Sequence, residues 1–371
     1  MKDVRGVEHW MLVEGGKDER PGVRYASRFE SVGLKLPERR LTTRELLESA
    51  AHHPHIDLEA LTGIRERRVC SEGEDSFTLA VAAVRDCLAH SRHRPQDIEM
   101  LISASISKYK GGLRHQLEPP LSLAITREIG AQAATSFDLS NACAGMLTGV
   151  FVLNDWIRRG VIRCGMVVSG EYISSLDLNA ARQIRSILSK QLASLTLGDA
   201  GVAAILERAP DGNPGITFAG FTTLAEHSRL CLGSPAKIGP GAAMFTKART
   251  IHRVAIEDSP PLLADALEET GLRLADVDYL IPHQTSVRAI RKGAREFAAR
   301  LGMAPKNFVE NVAERGNTAS TTHFVALYEY LEAGRFKPGD EILLLSLASG
   351  LEVGVVIFRM DELVDQYGHA H

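Results

Sequence analysis

Pro95-Gln96-Asp97-Ile98-Glu99-Met100-Leu101-Ile102-Ser103-Ala104 is paralleled by Leu274-Ala275-Asp276-Val277-Asp278-Tyr279-Leu280-Ile281-Pro282-His283. Each copy follows an amphipathic stretch, residues 76–90 in one case and 261–270 in the other, and each runs into a buried apolar strand. A second parallel pairs residues 197–206 with 348–357, both a glycine turn entering an apolar strand. Self-similarity at this scale predicts a duplicated unit. Strands alternating with helices, in duplicate, predict an α/β protein of two packed sheet lobes with helices between and outside them. The turn-rich stretch Ala209-Pro210-Asp211-Gly212-Asn213-Pro214-Gly215 marks the join. The organisation read from this is an N-terminal extension over 1–23, a first half over 24–209 and a second half over 210–371. The first strand is expected near 29–36, and Thr42-Thr43-Arg44-Glu45 opens a helix with a Thr cap and an early Glu.

A chain of 371 residues is long enough to bury a large core. Its 44% hydrophobic and 24% charged residues are ordinary for a globular protein, and a net charge of −3 argues against a nucleic-acid partner or a polybasic membrane anchor. No apolar run reaches the roughly 18 residues that span a bilayer, so no membrane association is expected. The polar start of the chain has no signal-peptide core. Five scattered cysteines (70, 87, 143, 164, 231) form no CxxC pair and no zinc spacing, so no metal is expected and a reducing cytoplasm is the natural compartment. The histidines at 52, 53, 55, 90 and 93 read as exposed loop residues.

Three segments carry chemistry. Cys143 sits in Asp138-Leu139-Ser140-Asn141-Ala142-Cys143-Ala144-Gly145, between a strand at 134–139 and a small-residue helix from 144. A thiol there meets free backbone N–H groups and the positive end of a helix, either of which favours the thiolate nucleophile, as does a nearby imidazole. The bland alternative is an ordinary buried Cys. His283 ends an apolar strand after Pro282, and Asn317 lies in Gly316-Asn317-Thr318-Ala319-Ser320, leading into a helix at 324–331. A core His and a turn Asn are their bland readings. A Cys, a His and an Asn in such settings suggest acyl-thioester chemistry.

Asn141-Ala142-Cys143-Ala144-Gly145, Pro282-His283-Gln284 and Gly316-Asn317-Thr318-Ala319-Ser320 resemble the three catalytic motifs of β-ketoacyl-ACP synthase III, a family of condensing enzymes. Leu61-Thr62-Gly63-Ile64-Arg65-Glu66-Arg67-Arg68, Leu197-Gly198-Asp199-Ala200-Gly201 and Arg335-Phe336-Lys337-Pro338-Gly339-Asp340 resemble further family motifs, in the family's order, from about residue 24 to 360. The resemblance implies the thiolase fold, a five-layered αβαβα sandwich, and a cytoplasmic homodimer. It implies that Cys143 holds an acyl group, that His283 and Asn317 polarise the carbonyl of a second thioester, and that the backbone of Cys143, Gly350 and Leu351 forms an oxyanion hole. Substrates would arrive as CoA or acyl-carrier-protein thioesters, with no bound cofactor.

Leu117-Glu118-Pro119 is similar to a stretch of the olefin-pathway enzymes that join two fatty acyl thioesters head to head, where the Glu is placed as a base at the dimer partner's site. Glu118 is therefore a fourth candidate catalytic residue. Arg288, Arg291 and Lys292, shortly after His283, suit phosphopantetheine and an acidic carrier protein. The family's usual Trp before the Thr-Gly-Ile-Arg motif is absent from 52–59, which favours a carrier-bound donor over CoA and, with the N-terminal extension, secondary metabolism. The leading expectation is a Claisen condensation giving a β-ketoacyl product. The alternative is an acyltransferase that moves the Cys143-bound group to an alcohol or amine; Asn rather than Asp at 317 weighs against it. The Gly-, Ala- and Pro-rich residues 233–247 read as a cover over the substrate tunnel.

Overall fold

The computed structural model describes residues 13–14, 24–52, 56–237 and 239–368. The first sheet contains β1 (Ser27–Lys35), β2 (Met100–Ser103), β3 (Thr135–Asp138), β4 (Cys164–Glu171) and β5 (Ala200–Arg208), in the order β1-β5-β4-β2-β3. The second contains β6 (Ile216–Thr223), β7 (Tyr279–Pro282), β8 (Asn307–Phe308), β9 (Glu341–Ala348) and β10 (Glu352–Arg359), in the order β6-β10-β9-β7-β8. The orders are identical once five is added to each label, and so are the directions. β2 lies parallel to both neighbours while β4 and β5 are antiparallel; β7 and the β9–β10 pair repeat this. The duplication legible in residues 95–104 and 274–283 is thus structural: each copy is a 3₁₀ turn followed by β2 or β7. Residues 209–215 carry the chain from the last strand of the first sheet to the first strand of the second. Of the N-terminal extension, Val13–Glu14 pairs antiparallel with β6; its other residues, like His53 and His55, lie outside those described.

Six helices complete the layers: α1 (Ser76–Ala89), α2 (Leu121–Ile129), α3 (Gly145–Arg158), α4 (Ala248–Thr270), α5 (Val287–Leu301) and α6 (Thr322–Glu332). α3 and α6 touch both sheets and form the middle layer. α1 and α2 cover the outer face of the first sheet, α4 and α5 that of the second, which gives the αβαβα sandwich. The central core joins Met146, Val150 and Leu153 of α3 to Phe324, Val325 and Leu327 of α6, between Val167 and Ala204 of one sheet and Leu344 and Val356 of the other. α3 and α6 bury nearly every face, as apolar small-residue helices between two sheets must. On the outside, α1 lies flat against its sheet because strand glycines admit it. A Cβ on Gly170 would come within 1.9 Å of the Ser76 carbonyl oxygen, and one on Gly33 within 2.2 Å of that of Ala83.

One expectation needs correction. The helix read at 261–270 runs from Ala248 to Thr270, with Pro260 and Pro261 inside it. A proline ends a helix only where the lost N–H bond and ring clash outweigh packing; here Val254, Ala255 and Leu263 are buried against the second half. The stretch 233–247 read as a cover lies mostly in a β-hairpin, Cys231–Pro235 paired with Ala242–Thr246. The Thr42 cap is present as read, with a full capping box to Glu45.

Candidate active site

The middle helices carry the site at their entrances. Each is entered through a 3₁₀ turn, Ala142–Ala144 before α3 and Ala319–Thr321 before α6. Each turn begins with an alanine at positive φ, 44° at Ala142 and 57° at Ala319, a conformation a Cβ disfavours and tertiary contacts must sustain. In this duplicated geometry Cys143 and Ser320 hold equivalent places. The two turns touch, and the Cys143 turn also lies against β9. Asn141, just before it, is anchored by Thr148 of α3 (2.8 Å) and by Glu352 at the start of β10.

Cys143 is half-buried. It packs against the cluster of Ile173, Leu176, Leu197 and Ala319, as do Ala242 and Met244 of the hairpin. The expectation that its setting favours the thiolate is corrected. Burial, the Cys231 thiol and the Glu171 carboxylate push the Cys143 thiol up to about 12, while N–H groups of Ser349 and of Cys143 itself pull the other way. Cys143 lies within the 3₁₀ turn Ala142–Ala144 rather than on the first turn of α3, which starts at Gly145.

His283 follows β7 and is buried. Its N–H donates to the Leu345 carbonyl (2.9 Å), which also accepts from Nε2 of His323 (3.0 Å) on the first turn of α6. The two rings lie 5.7 Å apart. Burial pushes His283 down to about 3 and His323 to about 4, so both are neutral near pH 7 and His283 is an N–H donor rather than a cation. Asn317 is pinned three ways: its N–H donates to Thr196 O (2.8 Å), its carbonyl accepts from Gly198 N–H (3.1 Å), and its Oδ1 accepts from Ala319 N–H (3.0 Å). The last bond leaves Nδ2 as the group free to donate. Asp199 of the same Leu-Gly-Asp motif ties Cys70 N–H (2.8 Å) and both donors of Ser174 (2.7 and 2.6 Å).

The Ser349-Gly350-Leu351 turn links β9 to β10, so the sheet partner of the His283 strand delivers this turn beside the sulfur. Gly350 has φ 135°, a glycine conformation; Leu351 is buried and its carbonyl accepts from Leu224 N–H (2.8 Å). Glu118 is elsewhere: it is exposed, on a loop beside Leu117, and no described contact of Cys143, His283 or Asn317 involves it. Arg288, Arg291 and Lys292 are exposed on α5. Arg291 is paired with Glu310 (3.1 Å), whereas Arg288 lines a cleft of about 500 Å³ together with Arg185, Asp57, Ile56, Leu61 and Ile187.

Two groups at the site were not read from the sequence. His323 looks like an ordinary helix residue. Glu171 closes the apolar run of β4 and is fully buried beside Ser320, with the carboxyl pushed up by burial. A charged residue ending an otherwise apolar strand was the available signal.

The fold and this site define a thiolase-fold condensing enzyme. Residues 137–225 match the family described as 3-Oxoacyl-[acyl-carrier-protein (ACP)] synthase III, and residues 267–360 its C-terminal counterpart. The chain is 30% identical to the β-ketoacyl-ACP synthase III of Symbiobacterium thermophilum, over 88% of this chain and 96% of that one. It is 31% identical to that of Deinococcus deserti, over 86% and 87%. It belongs to the β-ketoacyl-ACP synthase III family, whose members are acyltransferases. Its backbone follows a Xanthomonas campestris OleA variant with a TM-score of 0.79 (22% identity, 92% of this chain, 100% of that one). It follows the Aquifex aeolicus synthase III with 0.76 (23%, 90% and 100%). Among the described residues no helix is long and apolar enough to cross a membrane.

Proposed function

We propose that the chain catalyses a two-step Claisen condensation. The Cys143 thiolate attacks an acyl thioester, the carrier thiol leaves with the proton, and the acyl group stays on sulfur. The backbone N–H of Cys143 and the Ser349-Gly350-Leu351 turn stabilise the oxyanion. His283 Nε2–H and Asn317 Nδ2–H then hold the carbonyl of a second thioester, stabilising the enolate that attacks the acyl-cysteine and releases a β-ketoacyl product. The observation that carries this reading is that the Cys143 turn touches both the turn that follows Asn317 and β9, whose Leu345 carbonyl holds His283 N–H.

The enolate arises by decarboxylation of a malonyl thioester, or by deprotonation of a second acyl chain by Glu118. The exposure of Glu118 and of Leu117 (77%) supports the second route only in a homodimer, in which the loop enters the partner's site. Arg185 and Arg288 suit the phosphate of a phosphopantetheine arm entering their cleft, and exposed Arg291 and Lys292 suit an acidic carrier. Secondary metabolism is the setting we favour. Product analysis with labelled acyl thioester, with and without malonyl thioester, tests the proposal. A β-keto product is expected; an ester or amide of an added acceptor, with none, would replace it with the acyltransferase reading.

A further inference from the structure

Glu171 is fully buried and the two-step mechanism does not use it. Its Oε1 accepts from Ile106 N–H (2.8 Å), Ser320 Oγ–H (2.5 Å) and Ser169 Oγ–H (3.2 Å). Its Oε2 accepts from the N–H (3.0 Å) and hydroxyl (2.8 Å) of Ser107. One carboxylate thus ties the end of β4 in the first half, the residues just before the loop that carries Glu118, and the Ala319–Thr321 turn of the second half. Ser320 is the equivalent of Cys143 in the duplicated turn. Its neighbour Ala319 both packs against Cys143 and donates to the Asn317 side chain. A carboxylate left in a desolvated site is costly unless its hydrogen bonds are made, and this one's are.

We propose that Glu171 is a positioning residue of the condensing site: through Ser320 it fixes the turn that orients Asn317.

The two-step role rests on the function proposed above, so the first readout uses no substrate. Hydrogen–deuterium exchange is followed at the peptide spanning residues 316–321 in wild type, Glu171→Gln and Ser320→Ala. Both variants are expected to exchange about threefold faster or more there. In single turnover both variants are expected to retain acyl loading and lose at least tenfold in condensation, with Glu171→Asp recovering part of it. Unchanged exchange at 316–321 in folded Glu171→Gln would overturn the positioning role, as would equal loss of loading and condensation in Ser320→Ala. If no thioester loads at all, the proposed function fails while the exchange result still decides the positioning role.

Discussion

Replacing Asn317 separates donor chemistry from architecture. The side chain makes one internal bond, Oδ1 accepting from Ala319 N–H at 3.0 Å, and the backbone makes two more, to Thr196 and Gly198, that no side-chain change removes. Asn317→Asp keeps an oxygen for Ala319 and replaces only the Nδ2 donor. Asn317→Ala loses both, at a cost of about 1 kcal/mol for the internal bond. A donor aimed at developing negative charge is worth about 10²–10³ in rate, roughly 3–4 kcal/mol. Asn317→Asp is therefore expected to melt within a few degrees of wild type, to load acyl groups on Cys143 normally, and to condense at least 100-fold more slowly, since its carboxylate also repels the enolate. Asn317→Ala should lose a similar factor in condensation with slightly lower stability. Loading and discharge are read separately by quenched-flow mass spectrometry of the intact chain. Asn317→Asp condensing at near wild-type rate, or losing loading as much as condensation, would refute the reasoning.

Acid should destabilise the fold through its buried imidazoles. His283 and His323 fall to about 3 and 4 when folded but titrate near 6.5 unfolded, so the unfolded chain binds more protons between those values and stability drops as pH falls from about 6.5 to 4. Urea melts should show His323→Leu losing less over that interval than wild type; equal slopes would remove the histidines as the cause. Gly170→Val drives side-chain carbon into the Ser76 carbonyl and should cost upwards of about 3 kcal/mol, read as a fall of several degrees or more in Tm; an unchanged Tm would mean α1 is not held as described. If Glu118 serves the partner's site, Glu118→Ala and Cys143→Ala, each inactive in non-decarboxylative condensation, should regain activity when co-expressed as mixed dimers. Failure of the mixture alone, with both variants dimeric, would place Glu118 outside the site.

The duplicated architecture was legible because its signals are local. The pattern of residues 95–104 and 274–283 reports a 3₁₀ turn and a buried strand wherever it occurs. Cys143, His283 and Asn317 were picked from small-residue turns, a strand end and the resemblance of their motifs, and the structure sets the Cys143 turn against the turn that follows Asn317. What escaped depends on distant segments meeting. Glu171 gains meaning only through Ser107 and Ser320, which lie far away in the chain, and His323 only through β9. The hairpin at 231–246 was hidden by glycine, alanine and proline, residues of low strand propensity that pairing and packing on Ile173, Leu176, Leu197 and Ala319 override. α4 was read only from residue 261, whereas burial sustains the helix through Pro260 and Pro261 back to Ala248. The elevated Cys143 thiol was likewise invisible: spacing announces a helix entrance, whereas Cys231 and the buried Glu171 arrive from elsewhere.

The most direct test of a two-step condensing enzyme is intact-protein mass spectrometry of wild type and Cys143→Ala incubated with a panel of acyl thioesters, followed by addition of malonyl thioester or a second acyl thioester. The account predicts an acyl adduct on Cys143 in wild type alone, discharged by the second thioester as a β-ketoacyl product appears. An adduct of undiminished yield in Cys143→Ala, or one that no second thioester discharges, would contradict it.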